Sequence, residues 1–127
     1  MRKLKTQNSI NANNNLKKSN RQITYDGEVI AMILKELSFI VCSMDHMGSY
    51  YADKLDEMRQ EYEKETTQFT DNSWIWNRLA AIRYVLSEPF DSELGDDEMD
   101  DLERICEDTP YWSKPGDFST ERWIKVE

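Results

Sequence analysis

The stretch "VIAMILKELSFIVC", residues 29–42, constrains the fold more than any other part of the chain. Its apolar residues Val29, Ile30, Ile33, Leu34, Leu37, Ile40 and Val41 recur at spacings of three and four, the period of an α-helix with one wide apolar side. Phe39 and Cys42 widen that side further. Asp26 is a good N-cap with Glu28 in the first turn, and Gly48 is the expected stop. A membrane span needs roughly 20 apolar residues. This run is shorter and contains Lys35 and Glu36, so it is expected to be the central helix of a core.

Three weaker helical patterns follow. Tyr51, Leu55, Met58 and Tyr62 form a narrow stripe in an otherwise charged segment, which predicts a surface helix over 49–67. "TDNS" offers caps for a third helix over 73–87, with Trp74, Ile75, Leu79, Ile82, Val85 and Leu86 on its inner side. Pro89 closes it. Met99, Leu102, Ile105 and Cys106 share one face of a fourth helix over 97–107, and 110–127 reads as a short last helix or a strand. No hairpin signal of the Asn-Gly type is present. The expected fold is mainly α, a small bundle of four to five helices.

Charge divides the chain. Residues 1–22 carry Arg2, Lys3, Lys5, Lys17, Lys18 and Arg21 and no acid, while the remainder carries all 25 acids of a chain whose net charge is -9. The basic segment is rich in Asn and Ser and poor in apolar residues, so 1–22 is expected to be a flexible tail and 23–127 an acidic helical domain. The tail is a candidate for nucleic-acid contact, although it lacks the aromatic residues of a single-strand binder. The two cysteines, Cys42 and Cys106, are too few for a disulfide scaffold and lie within apolar patterns, so both are expected to be reduced and buried in a cytoplasmic protein. No apolar run of signal-peptide length follows the basic start.

"DSELGDDEMDDLE", residues 91–103, holds eight carboxylates and no base. An EF-hand loop needs oxygen ligands at positions 1, 3 and 5, Gly at 6 and Glu at 12. Beginning at Asp91 puts Gly95 at 5 and Leu102 at 12, and beginning one residue earlier puts Phe90 at 1, so neither register fits. A catalytic carboxylate pair needs an apolar pocket to raise one pKa, and nothing nearby supplies one. Acids at the start of a helix complement its positive end, which accounts for their position. It does not account for their number. From Glu88 to Asp108 there are 11 acids against Arg104 alone, and such self-repulsion implies an opposing gain, most simply a basic partner.

Catalysis and metal binding find little material. His46, the one histidine, lies four residues after Cys42, a spacing that suits a nucleophile and base on one helix face, but a core cysteine and a turn histidine account for both. Cys42, His46 and Cys106 supply three zinc ligands without the usual C-x-x-C pair. No phosphate-loop, dinucleotide, nucleophile-elbow or zincin motif occurs. The chain is therefore expected to be no enzyme, and to carry no metal and no cofactor.

Four tryptophans are many for a domain this size, and "PYW" and "ERWI" both follow the acid-rich helix in sequence. They read either as a cap on the end of the bundle or as interface anchors. The candidate partner-binding residues are Asp96, Asp97, Asp100, Asp101, Glu103, Tyr111, Trp112 and Trp123. In general composition, though in no motif, the chain is similar to small acidic bacterial immunity proteins and antitoxins, and to phage proteins that block defence nucleases. The expected function is a non-enzymatic inhibitor that neutralises a basic protein, either a nuclease toxin or a nucleic-acid-binding defence protein. An anti-defence protein whose carboxylates imitate nucleic acid is the alternative, with a regulatory adaptor as a third class.

Overall fold

The structure is a computed structural model and describes residues 16–116. They are mainly helical, as expected, with a 3-10 turn at Lys18–Asn20 and four α-helices: α1 (Gly27–Tyr51), α2 (Leu55–Asn72), α3 (Ile75–Ser87) and α4 (Asp101–Cys106). Two compact units divide the chain. Thr24–Pro89 contains α1, α2 and α3, packed on one another, while the other unit joins, among the described residues, 16–23 to 90–116.

Within the first unit, α2 and α3 both run back along α1. Tyr51, at the end of α1, packs its ring against Tyr62 at 5.5 Å and donates its hydroxyl to Glu65. Phe39, midway along, meets Phe69 at 5.7 Å and the Arg78 guanidinium at 4.5 Å. Tyr25, just before α1, donates its hydroxyl to the Leu86 carbonyl near the end of α3. Descending α1 from 51 to 25, its partners thus climb from 62 to 86. The arrangement is a long helical hairpin whose return leg is kinked at Met58 and broken at Trp74.

The break lies at Trp74, which stands in the left-handed region with φ 58°. That conformation is costly for a residue with a side chain. Arg78 holds the corner together: its Nε donates to the Ser73 carbonyl at 2.9 Å, its Nη1 pairs with Glu36, and its plane covers Phe39. The turn sets the side chain of Trp74 outward, so it is exposed and is not part of the buried set in which the sequence placed it. The "TDNS" residues end α2 and provide no side-chain cap for α3.

Other boundaries move for packing reasons. α1 continues through Gly48 to Tyr51, because Tyr51 is buried against α2. The packing of Tyr51 outweighs the roughly 1 kcal/mol that a glycine costs within a helix. α2 accordingly starts later than the stripe implied, at Leu55, and extends to Asn72, which brings Phe69 to Phe39.

A hairpin of two legs covers only one stripe of each helix, whereas α1 is apolar over a much wider arc. The buried apolar side chains among the described residues are Ile33, Ile40, Tyr51, Ile75 and Ile82. Leu34, Val41 and Leu79, expected inside, are exposed, as are Met32 and Met44. Cys42 lies on the outer side of α1 and is exposed, and so is Cys106; both are free thiols, which corrects the expectation that they are buried. A groove of about 550 Å³ runs between α1 and α3, with Val29, Met32, Ala81 and Val85 along it. Among the described residues no helix is long and apolar enough to cross a membrane.

Candidate partner surface

The second unit is organised by the acidic segment itself. Gly95 to Met99 forms a tight turn. Gly95 N–H donates to the Met99 carbonyl at 2.8 Å, and Glu98 N–H donates to the Gly95 carbonyl at 3.0 Å. Glu98 closes it with φ 63°, the geometry of a three-residue loop whose last residue is left-handed. A Cβ at Gly95 would stand 2.7 Å from Arg104 Nη2, so a side chain there would push the guanidinium out of its present position. The fourth helix is shorter than its apolar pattern predicted, six residues from Asp101, because the turn occupies the preceding positions. Asp100 is its N-cap, with Oδ1 accepting the Glu103 N–H at 2.8 Å.

Arg104, the one base of the segment, holds two acids. Its Nε and Nη2 form a bidentate pair with Asp97 at 2.7 and 2.8 Å, and its Nη1 bonds Asp101 Oδ1 at 2.8 Å. Asp101 is fully buried. Its other oxygen accepts the Lys17 backbone N–H at 2.7 Å and Asn20 Nδ2 at 2.8 Å. Asn20, also buried, exchanges hydrogen bonds with the backbone of Asp91, and Ser19 Oγ reaches the Asp91 carboxylate at 3.1 Å. Lys17 Nζ adds a bond to the Glu93 carbonyl. The end of the basic stretch is therefore bonded into the acidic segment. Residues 17–20, expected to belong to a tail that buries little, are what encloses Asp101. Residues 1–15 lie outside the described residues.

These contacts set the acid–base behaviour. Bonds from Asn20 and Lys17, and then the Arg104 guanidinium, hold Asp101 below the usual carboxylate range. Asp97 is held well below it by Arg104 and the Met99 N–H, and Asp91 is lowered by the Glu93 N–H and Ser19. A carboxylate depressed in the folded state contributes stability that is present above its unfolded pKa, near 3.9, and is lost as pH falls through the folded value. Amide-exchange protection at Lys17, Glu93 and Met99, whose N–H groups bond these three carboxylates, should therefore be level from pH 7 to about 5 and collapse below about pH 4. Protection that already declines near pH 6 would show that these carboxylates do not hold the unit.

The candidate residues now separate into two groups. Asp101 is removed from any surface by burial, which corrects its assignment to a partner-binding face; the cause is the donor set from Lys17, Asn20 and Arg104. Asp97 is committed to Arg104, and Asp100 to capping. Asp96 and Glu103 are exposed, and so are Tyr111 and Trp112 in the same unit. Trp123 lies outside the described residues. The sequence reading passed over Glu98, Glu107 and Asp108, which are also exposed and, with Asp96 and Glu103, have no cation within ion-pairing distance among the described residues. The spacing Asp101-x-x-Arg104 was the available signal, since i,i+3 partners share a helix face and mark which acids are internally neutralised. Among the described residues no group of three or more His, Cys, Asp or Glu is placed to hold a metal ion.

No family model matches the chain, and neither a curated protein nor a solved structure is significantly similar to it.

Proposed function

We propose that the chain is a cytoplasmic, non-enzymatic inhibitor that binds a basic protein, a nuclease toxin that it neutralises as an immunity protein or antitoxin. The observation that carries this reading is the division of the acidic segment. Asp97 and Asp101 are neutralised within the fold, whereas Asp96, Glu98, Glu103, Glu107 and Asp108 point outward without a counter-charge among the described residues. Holding five like charges on so short a segment costs stability, and a cationic partner offsets that cost. Exposed Tyr111 and Trp112 in the same unit supply apolar area of the kind that anchors an interface.

The test uses the five outward carboxylates, changed together to Asn or Gln, and spares Asp91, Asp97, Asp100 and Asp101. Low-salt capture from lysate of the source cell should retain a nuclease or other nucleic-acid-binding protein on the wild-type chain and lose it on the five-site variant. With that protein purified, the variant should associate at least about tenfold more slowly, with a shallower salt dependence, because surface charges act mainly on the on-rate. Trp112→Ala should act instead on the off-rate. Unchanged association of the five-site variant at low salt would overturn the reading. Competition by duplex DNA for the same partner would favour the nucleic-acid mimic, and binding that duplex DNA leaves undisturbed would favour the immunity protein.

A further inference from the structure

We infer that the outer stripe of α1 is a self-association surface, on which a second copy of the chain packs its own α1 in antiparallel fashion. The stripe consists of Ile30, Leu34, Leu37, Val41 and Met44, spaced four, three, four and three residues apart, the repeat by which one helix seats another along a continuous seam. It lies beside the buried line of Ile33 and Ile40; the return leg of the hairpin leaves Ile30 and Leu37 half-buried and the other three exposed. Leu34, Val41 and Met44 are 56%, 63% and 54% exposed. The five positions hold no charged residue, so the stripe offers nothing ionic to the basic partner proposed for the acidic unit. It is a different surface with a different occupant.

Self-complementarity picks out the second copy. In an antiparallel pair, core layers form between residues whose numbers add to a constant. For this stripe the constant 78 places Leu34 against Met44 and Leu37 against Val41, twice each by the two-fold axis, and Ile30 against Gly48. Leu34, Leu37, Val41 and Met44 then each meet an apolar side chain of the other copy, as an isologous interface requires, while Ile30 lies over Gly48. An antiparallel pair also brings opposite charges to one side of the seam. The antiparallel register sets Lys35 of one copy within two residues' rise, ~3 Å, of the level of Asp45 of the other. Next to the seam it places Ser38 near Ser38 and Asp45 near Ala31, with no like charges opposed.

Sedimentation and light scattering of the full chain at about 100 µM should give twice the 15.1 kDa monomer mass. The double change Leu34→Glu and Val41→Glu should return it to monomer, raising the dissociation constant at least about 100-fold, since each charged side chain would be forced into an apolar layer. Both positions are exposed in the single chain, so circular dichroism should stay helical. Met32→Glu, on the other side of α1, should leave the dimer intact. In a background with Cys42 and Cys106 changed to Ser, mixing Leu34→Cys with Met44→Cys chains should give the mixed disulfide in excess over either homodimer. A monomer at every accessible concentration, a dimer indifferent to the double change, or homodisulfides in place of the mixed one would each overturn the inference.

Discussion

Replacing Asp101 with asparagine is expected to cost the second unit about 3 kcal/mol, because the amide cannot reproduce what the carboxylate does. Both carboxylate oxygens accept, one from Lys17 N–H and Asn20 Nδ2, the other from Arg104 Nη1. Whichever way the asparagine turns, its own N–H groups face a donor and a bond is replaced by a conflict. Arg104 keeps its bidentate grip on Asp97, so the loss should stay local to the Lys17–Asn20 and 91–104 segments. Amide exchange is the appropriate readout. Protection at Lys17, Asp91 and Arg104 should fall by about two orders of magnitude while that of Ile40 and Ile82 holds, since 1.4 kcal/mol corresponds to a factor of ten. Uniform loss across both units would mean that Asp101 supports more than its own neighbourhood. No loss would mean that the buried contacts are worth nothing net.

Truncation gives the second large effect, and its size depends on where the cut is made. Removing residues 1–22 takes away Lys17, Ser19 and Asn20, hence two of the three donors to Asp101 and both side chains that hold Asp91. Segment 90–106 should then lose its protected amides and become readily cleaved by proteases, equivalent to about 3 kcal/mol or more by the same accounting. Removing 1–15 leaves every one of these bonds in place and should change neither readout. A tail that merely solubilised the chain would give the same result for both cuts.

A flexible tail over 1–22, as the composition suggests, would make the longer cut harmless, and the reason composition misleads here is physical. Low hydrophobicity shows that a segment cannot form an apolar core. It is silent about a segment whose ordering comes from polar bonds to a distant acidic loop. Asn20 contributes a single carboxamide that completes a network 71 and 81 residues away. Helices, by contrast, were legible wherever three- and four-residue spacing was strong: α1 and α3 were placed to within a few residues, and their inner residues Ile33, Ile40, Ile75 and Ile82 are buried. Periodicity identified the apolar arc of α1 correctly and said nothing of how much of it a single broken return leg covers. Leu34 and Val41 therefore ended outside. In the acidic segment the count of charges was legible and their sorting was not, because the sorting rests on Gly95 giving Arg104 room to lie across Asp97 and Asp101.

The central claim is that the outward carboxylates recruit a basic protein and disable it. The most direct measurement is a titration of the captured partner's nucleic-acid cleavage with the wild-type chain, at about 50 mM and about 500 mM salt, beside the five-site variant. Cleavage should be lost stoichiometrically with the wild type at low salt, with slower onset at high salt and for the variant, as charge-steered association requires. Cleavage that persists at saturating wild-type chain, or inhibition that the variant delivers at the same rate, would contradict it.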